Sequence, residues 1–168
     1  MSKSTIAVML ILAICAGIAG AQTVKMEWSE GSTSLDYFWR GDGYFAYALG
    51  CKQWAEAYGG VTYSPTSWAD FGLGAGLEQA DNPIRLGGWV WLGQGDVSFC
   101  HLFADGGSGP WHKSTLTLKV DERLSIGAIG RSFKGRGAFA EVAIGEGRSI
   151  NSAIYEGGAW TFSLSQKF

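Results

Sequence analysis

The sequence predicts an all-β protein, a closed antiparallel β-barrel that crosses a membrane as a meander of 8 to 12 short strands. Three observations lead to this fold class. Short segments alternate between apolar and polar residues, turn-forming residues recur at close spacing, and the chain is rich in glycine (26 residues) and in aromatic residues (14%). This combination favours strands joined by tight turns over helices.

Alternation is clearest in residues 68–78, where, after Trp68, every second residue is apolar and the residues between them are acidic or glycine. Because successive side chains of a strand point to opposite sides, this pattern gives a strand with two unlike faces. Residues 113–121 and 24–28 divide in the same way. In residues 68–78 the apolar face is Ala69, Phe71, Leu73, Ala75 and Leu77, and the other is Asp70, Gly72, Gly74, Gly76 and Glu78.

Eleven clusters of turn-forming residues would separate twelve short strands, whereas chain length alone suggests eight spanning strands of about 9–11 residues. The one helix-like fragment, residues 52–58, is too short to support the domain. The predicted turns lie at residues 30–31, 41–43, 59–60, 64–65, 81–83, 94–96, 105–110, 121–122, 134–137, 145–148 and 157–158.

The choice between a soluble and a membrane-spanning barrel depends on which face points inward. Small residues opposite large apolar ones, as in residues 45–50, predict a narrow lumen lined by small side chains and a lipid-facing surface of large ones. Residues 89–92 are apolar on both faces and do not fit this rule. Tryptophans near the predicted strand ends would supply interfacial girdles; they are Trp28, Trp39, Trp54, Trp68, Trp111 and Trp160.

The amino-terminal residues predict a cleaved export signal. Lys3 precedes an apolar stretch at residues 6–14, and the small residues 19–21 follow in the pattern that signal peptidase cleaves. The apolar stretch is shorter than the roughly 20 residues that a spanning helix needs, which disfavours a retained anchor. We therefore expect a signal peptide at residues 1–21 and one barrel domain at residues 22–168.

The carboxy-terminal strand carries apolar residues at alternate positions and ends on an aromatic residue: Trp160, Phe162, Leu164 and Phe168, with Gln166 in the same series. This pattern resembles the assembly signal of bacterial outer-membrane β-barrel proteins, although Gln166 departs from it. The resemblance implies a location in the outer membrane, with outer-membrane lipid and the barrel-assembly machinery as partners.

The charges of the mature chain are interleaved rather than clustered. The formal net charge is −2 for the full sequence, or −3 once Lys3 is removed with the signal, and no run of like charges occurs, which argues against nucleic acid as a partner. Opposite charges on the inner face would pair and fill a narrow interior, either as a structural plug or as a slim polar pore, without indicating a solute. The residues predicted to face the lumen are Lys25, Glu27, Lys52, Asp70, Glu78, Lys113, Lys119 and Asp121.

The search for catalytic residues gives one candidate pair. His112 and Ser114 lie two residues apart, hence on one face of a strand, where an imidazole could activate a hydroxyl. The pair resembles the His-x-Ser element of the outer-membrane lipid A deacylase, although Thr115 stands where that family has Asn. Neither histidine of the chain has a metal-binding spacing, and we expect no metal and no cofactor.

The leading interpretation is an integral outer-membrane barrel with a structural or small porin-like role and no catalysis. One alternative is a lipid-modifying enzyme that uses His112 and Ser114, and another is a soluble secreted β-sandwich or ligand-binding barrel. Cys51 and Cys100 are either small apolar filler or a disulfide, and the sequence leaves both open.

Overall fold

The computed structural model describes residues 21–168, which form twelve antiparallel strands and one short 3-10 turn, Glu156–Gly158. The predicted signal peptide lies outside the described residues, apart from Ala21, the first residue of β1. The strands are β1 (Ala21–Ser29), β2 (Ser32–Arg40), β3 (Tyr44–Cys51), β4 (Ala55–Thr66), β5 (Ala69–Glu78), β6 (Ile84–Gln94), β7 (Val97–Gly106), β8 (Trp111–Lys119), β9 (Leu124–Arg131), β10 (Gly135–Gly145), β11 (Arg148–Tyr155) and β12 (Trp160–Lys167).

Each strand pairs with its neighbours in sequence, and β1 pairs with β12 to close the sheet, with Met26 opposite Leu164. The closed meander confirms the predicted fold class and sets the strand number at the upper end of the expected 8 to 12. A β-sandwich, the fold of one soluble alternative, is wrong for this chain because the strands form a single closed sheet.

The outer surface of the barrel is apolar. Large apolar side chains are exposed on every strand except β2, and on β5 they are Leu73 and Leu77, both 61% exposed. On the same strand Glu78 is 5% exposed and faces the lumen. A soluble barrel hides its apolar face inside, so this arrangement excludes the soluble alternative and fits a barrel surrounded by lipid. No helix among residues 21–168 is long and apolar enough to cross a membrane.

Two of the predicted turns, at residues 59–60 and 64–65, are wrong because both lie within β4. A turn at residues 52–54, where the segment of helix-like composition begins, was not predicted. Gly60 marks close packing rather than a bend, because a Cβ there would lie 2.3 Å from the carbonyl oxygen of Leu73 and 2.4 Å from the ring of Phe45.

The prediction for β3 is also wrong, because its aromatic residues face the lumen and its small residues face outward. Phe45 and Tyr47 point inward, and Ala48 lies on the outer face. Glycines on the inner faces of β4, β5 and β6 leave space for these large rings. The same space explains residues 89–92, since Trp89 also projects inward and its ring lies over Gly72.

The two ends of the barrel differ in the length of their connections. The end that carries both chain termini has mostly short turns, such as residues 67–68 and 95–96, whereas the opposite end has the longer connections at residues 79–83, 107–110 and 156–159. Outer-membrane barrels have short periplasmic turns and longer external loops. We call the end with the longer connections the mouth, and the other the terminal end.

The two cysteines of the described chain, Cys51 and Cys100, are free thiols. Both lie on the inner face by register, Cys51 opposite Ser34 and Cys100 opposite Trp91. The sequence left open whether these cysteines form a disulfide or fill space as small apolar residues, and this arrangement supports the second.

Gly76 offers a test of the close packing between β4 and β5. A Cβ at Gly76 would lie 1.9 Å from the carbonyl oxygen of Ala57, so Gly76→Ala should destabilise the barrel by about 1–3 kcal/mol through overpacking. The matched control is Gly145→Ala, because a Cβ at Gly145 meets nothing within 4 Å. The measurement is the temperature at which the folded barrel converts to its slower-migrating unfolded form in detergent gels. Equal conversion temperatures for the two variants would contradict the packing argument.

Candidate functional site: the lumen

The lumen contains a cavity of about 600 Å³ on the mouth side of the barrel, called here the mouth cavity. The β7–β8 and β9–β10 connections contribute to its rim, and charged side chains from six strands contribute to its wall. Its lining residues are Thr23, Lys25, Glu27, Ser29, Ser32, Ser34, Asp36, Phe38, Tyr47, Leu49, Cys51, Trp54, Glu56, Arg85, Leu102, Ser108, Gly109, Trp111, Lys113, Arg131 and Phe133.

One ion-pair cluster in the wall joins strands that are not neighbours in the sheet. Glu27 on β1 binds Arg131 on β9, with 2.5 Å between Oε1 and Nη1, and it also binds Lys25, with 3.1 Å between Oε2 and Nζ. Lys25 in turn contacts Asp36 at 2.6 Å. Because β9 is four strands from β1, the Glu27–Arg131 pair is a strut across part of the lumen.

A second cluster holds the β7–β8 connection against the rim of the mouth. Arg85 is 4% exposed and pairs with Glu78 at 2.7 Å. Glu78 accepts hydrogen bonds from the backbone N–H of Ser108 at 2.8 Å and from its hydroxyl at 2.7 Å, and Arg85 also binds that hydroxyl. Arg85 further donates to Tyr58 at 2.6 Å. Paired buried charges with additional hydrogen bonds keep a fixed geometry, so this side of the mouth has a defined shape.

Below the mouth cavity, aromatic side chains narrow the lumen. Phe38, Phe45 and Trp89 contact one another, with ring centroids 4.5 Å apart for Phe45 and Trp89 and 5.5 Å apart for Phe38 and Trp89. Asp70 accepts a hydrogen bond from the indole N–H of Trp89 at 3.0 Å and pairs with Arg40 at 2.6 and 2.7 Å. We call Phe38, Phe45 and Trp89 the aromatic constriction.

Lys113 differs from the other cations of the mouth cavity. It lies on β8, opposite Leu102 and Arg131, and lines the cavity. Within residues 21–168 its ammonium group makes no hydrogen bond and no ion pair, whereas Lys25, Arg85 and Arg131 are each paired. Lys113 is therefore the cation of this wall whose hydrogen-bonding capacity is unused among the described residues.

The structure places the predicted lumen residues at three kinds of position. Lys25, Glu27 and Lys113 line the mouth cavity, and Asp70 and Glu78 face inward within the two other polar clusters. Lys119 ends β8 at the terminal end. Lys52 lies in the β3–β4 turn and Asp121 in the β8–β9 turn; both are exposed, and neither lines the mouth cavity.

Five charged residues that sequence reasoning missed form ion pairs in the lumen: Asp36, Arg40, Glu56, Arg85 and Arg131. Extending the alternation of β2 would have placed Asp36 and Arg40 on one face with Ser34. Arg85 and Arg131 stand at strand ends, where a two-residue period gives little signal.

His112 and Ser114 lie on the outer face of β8, as their spacing predicts, but they do not bond to each other. The Ser114 hydroxyl lies 2.8 Å from Nδ1 of His101 on β7, whereas Nδ1 of His112 lies 3.1 Å from the hydroxyl of Ser132. The outer face therefore carries two separate His–Ser pairs. In the described part of the chain no group of three His, Cys, Asp or Glu side chains is arranged to hold a metal ion.

The Glu27 strut can be tested with Glu27→Gln. This substitution keeps the size and shape of the side chain but removes the negative charge that pairs with Lys25 and Arg131. We expect a loss of about 1–3 kcal/mol, between the values for exposed and for buried ion pairs. Glu141→Gln on β10 is the matched control, since Glu141 has no ion pair among the described residues. Urea unfolding of the barrel in lipid vesicles gives both free energies, and equal losses would show that the strut does not stabilise the fold.

Comparison with solved structures places this architecture among the porins. The KdgM porin superposes with a TM-score of 0.64 at 11% sequence identity, covering 88% of this chain and 98% of that one. The KdgM porin in complex with disordered oligogalacturonate superposes with a TM-score of 0.65 at 12% sequence identity. The match covers 88% of this chain and 99% of that one.

The NanC porin gives a TM-score of 0.50 at 10% identity, over 89% of this chain and 99% of that one. A variant of the Rh. blastica porin gives 0.50 at 10% identity, over 83% of this chain but only 56% of the larger barrel. No protein-family model and no curated protein matches the sequence. The chain thus has the closed-barrel fold of small bacterial outer-membrane porins.

Proposed function

We propose that this protein is a narrow porin of the bacterial outer membrane that admits small hydrophilic solutes. The observation that carries the proposal is the mouth cavity itself, a charged space of about 600 Å³ inside a barrel whose outer face is apolar. A purely structural barrel has no need for such a space, whereas a channel needs a polar path through the lipid layer.

The route to the membrane forms part of the proposal. The predicted signal peptide at residues 1–21 would export the chain, and the barrel-assembly machinery would recognise β12. The outer face of β12 supports this recognition, because Trp160, Phe162 and Leu164 are 38–43% exposed on the lipid side. Outer-membrane lipid would then surround the barrel.

We propose no enzymatic activity. Catalysis by a serine needs an imidazole that is itself oriented, usually by a carboxylate, and donors that stabilise an oxyanion. Among the described residues neither His101 nor His112 makes an ion pair with a carboxylate. Backbone N–H groups of β7 and β8 near Ser114 are used in the sheet ladder. These features support a channel over the lipid A deacylase alternative.

The proposed solute is a small anion with hydrophilic groups. The wall of the mouth cavity carries four basic side chains, Lys25, Arg85, Lys113 and Arg131, against three acidic ones, Glu27, Asp36 and Glu56. Glu78 lies outside this lining and pairs with Arg85, so the charge that stays unpaired among the described residues is that of Lys113. The KdgM porin was solved with oligogalacturonate, which agrees with an anionic solute but does not define one for this chain.

The function is tested by single-channel conductance of the purified barrel in a planar lipid bilayer. The wild-type channel should show small, discrete openings. Phe45→Ala, which removes one ring of the aromatic constriction, should raise the unit conductance by a factor on the order of two or more because the narrowest segment controls the current. Phe71→Ala, on the outer face of β5, is the matched control and should not alter it. A bilayer without openings for either barrel would refute the porin proposal.

The role of Lys113 is tested by the reversal potential across a KCl gradient. Wild type should prefer chloride, and Lys113→Glu should shift the preference towards potassium by about twofold or more, since the charge of the cavity wall changes sign. Lys119→Glu makes the same change of charge at the terminal end and should have the smaller effect. If both variants shift the potential equally, the overall charge of the barrel, not the mouth cavity, sets the selectivity.

A further inference from the structure

The outer wall of β7 to β10 carries a polar patch within the apolar surface, near the mouth. We call it the outer polar patch and define it as His101, His112, Ser114, Ser132 and Arg136. These side chains lie on the lipid side of the barrel, so they have no part in the pore. A polar group on the lipid face is costly unless it has a partner.

The strand register brings the patch together. His101 on β7 is opposite Ser114 on β8, Ser114 is opposite Gly130 on β9, and Gly130 is opposite Arg136 on β10. Ser132 continues β9 beside His112, with its backbone N–H donating to the carbonyl of His112 at 2.9 Å. The patch is thus a continuous surface across four neighbouring strands.

Gly130 contributes no side chain to this surface. A Cβ at that position would meet no atom within 4 Å, so there is open space on the outer wall between Ser114 and Arg136. Strands lie about 4.8 Å apart, and the backbones of these two residues are therefore separated by roughly 10 Å with no side chain between them. We call this gap between the two side chains the notch; it is about the width of a phosphate group and its hydrogen bonds.

Arg136 supplies the charge at one side of the notch. It is exposed, and within residues 21–168 it forms neither a hydrogen bond nor an ion pair. On the other side, His112 is held by the hydroxyl of Ser132 through Nδ1, at 3.1 Å, which leaves Nε2 for another partner. Ser132 also accepts a hydrogen bond from the backbone N–H of His112 at 2.9 Å, which fixes the hydroxyl in place.

The position of the outer polar patch near the mouth indicates which part of the lipid layer it contacts. Gly130 and Arg136 are each one residue from the mouth end of their strands, β9 and β10. On β7, Phe99 stacks against His101 on the side away from the mouth, with ring centroids 6.5 Å apart, and continues the apolar surface. Phe103 stacks on the mouth side of His101, with ring centroids 6.1 Å apart. A headgroup in the notch would therefore have its acyl chains on the side of the Phe99 ring.

We propose that the outer polar patch binds the phosphate of a lipid headgroup in the outer leaflet. A guanidinium donates two parallel hydrogen bonds to a phosphate, and a neighbouring imidazole and hydroxyl complete its coordination. The site lies on the lipid side of the barrel, so it is independent of any solute that the pore takes. The site binds the lipid and does not alter it chemically.

The test uses the folded barrel purified in a neutral detergent and native mass spectrometry to count bound lipid. The probe is lipid A carrying both phosphates, compared with the same lipid after phosphate removal. Wild type should retain the phosphorylated lipid about tenfold better, as expected for the loss of charge-assisted hydrogen bonds. Retention that does not depend on the phosphates would overturn the proposal.

Two variants locate the site. Arg136→Gln removes the charge and Gly130→Leu fills the notch with a lipid-compatible side chain, and each should reduce retention of the phosphorylated lipid by about tenfold. The matched control is Arg148→Gln, since Arg148 is also exposed but lies on β11 at the terminal end, bonded to Gln166 at 2.7 Å. A similar loss for Arg136→Gln and Arg148→Gln would show that lipid responds to net charge, which contradicts a defined site.

Two further observations complete the experiment. The heat-induced gel shift of each variant shows whether the barrel is folded. If Gly130→Leu does not fold, the comparison of Arg136→Gln with Arg148→Gln tests the site. Millimolar inorganic phosphate should leave the bound lipid in place. Displacement by inorganic phosphate would show an ion site rather than a lipid site and would overturn the proposal as stated.

Discussion

The pairing of β1 with β12 is the interaction on which the rest of the structure depends. In hydrocarbon each unpaired backbone N–H or C=O group costs several kcal/mol, so a sheet with free edges is not a stable spanning structure. Seven residue pairs, from Thr23↔Lys167 to Ser29↔Thr161, join the first strand to the last. Closure also creates the lumen, and the three polar clusters and the aromatic constriction exist only because the sheet returns on itself.

The lumen of this barrel is filled unevenly, and glycine explains why. The inner face of β5 has Gly72, Gly74 and Gly76 between Asp70 and Glu78, and these positions form a shallow floor. Phe45 and Trp89 lie over that floor, since a Cβ at Gly74 or Gly72 would collide with their rings. Small residues and large aromatic ones are thus complementary across the interior, and polar groups lie on both sides of the constriction, most of them at the mouth.

Much of the fold could be predicted from the sequence because a period of two is a strong signal. The faces of β5, β8 and β12 are as the alternation of residues 68–78, 113–121 and 160–168 indicates. On β3 the same period predicted the wrong face for the lumen. Neither face of residues 45–50 carries a charge, so the side that points inward is decided by where neighbouring strands leave space for the aromatic rings. That room is provided by glycines on other strands, which no local pattern reveals.

The candidate site was less accessible to prediction. Lys25, Glu27 and Lys113 could be assigned to the lumen by alternation, but their pairing could not, because Arg131 reaches Glu27 from a strand that is 104 residues away in the sequence. The pairing of Ser114 with His101 rather than His112 has the same origin. Spacing along one strand identifies residues on a common face, whereas cross-strand register decides which of them touch.

The charges of the mouth cavity are unequally distributed around the barrel axis. Its acidic residues, Glu27, Asp36 and Glu56, come from β1, β2 and β4, whereas Arg85, Lys113 and Arg131 come from β6, β8 and β9, with Lys25 on β1 as the exception. Fixed charges of opposite sign on facing walls produce a field perpendicular to the axis. A dipolar molecule entering the mouth would therefore be turned sideways, its negative end towards β8, before it reaches the aromatic rings below.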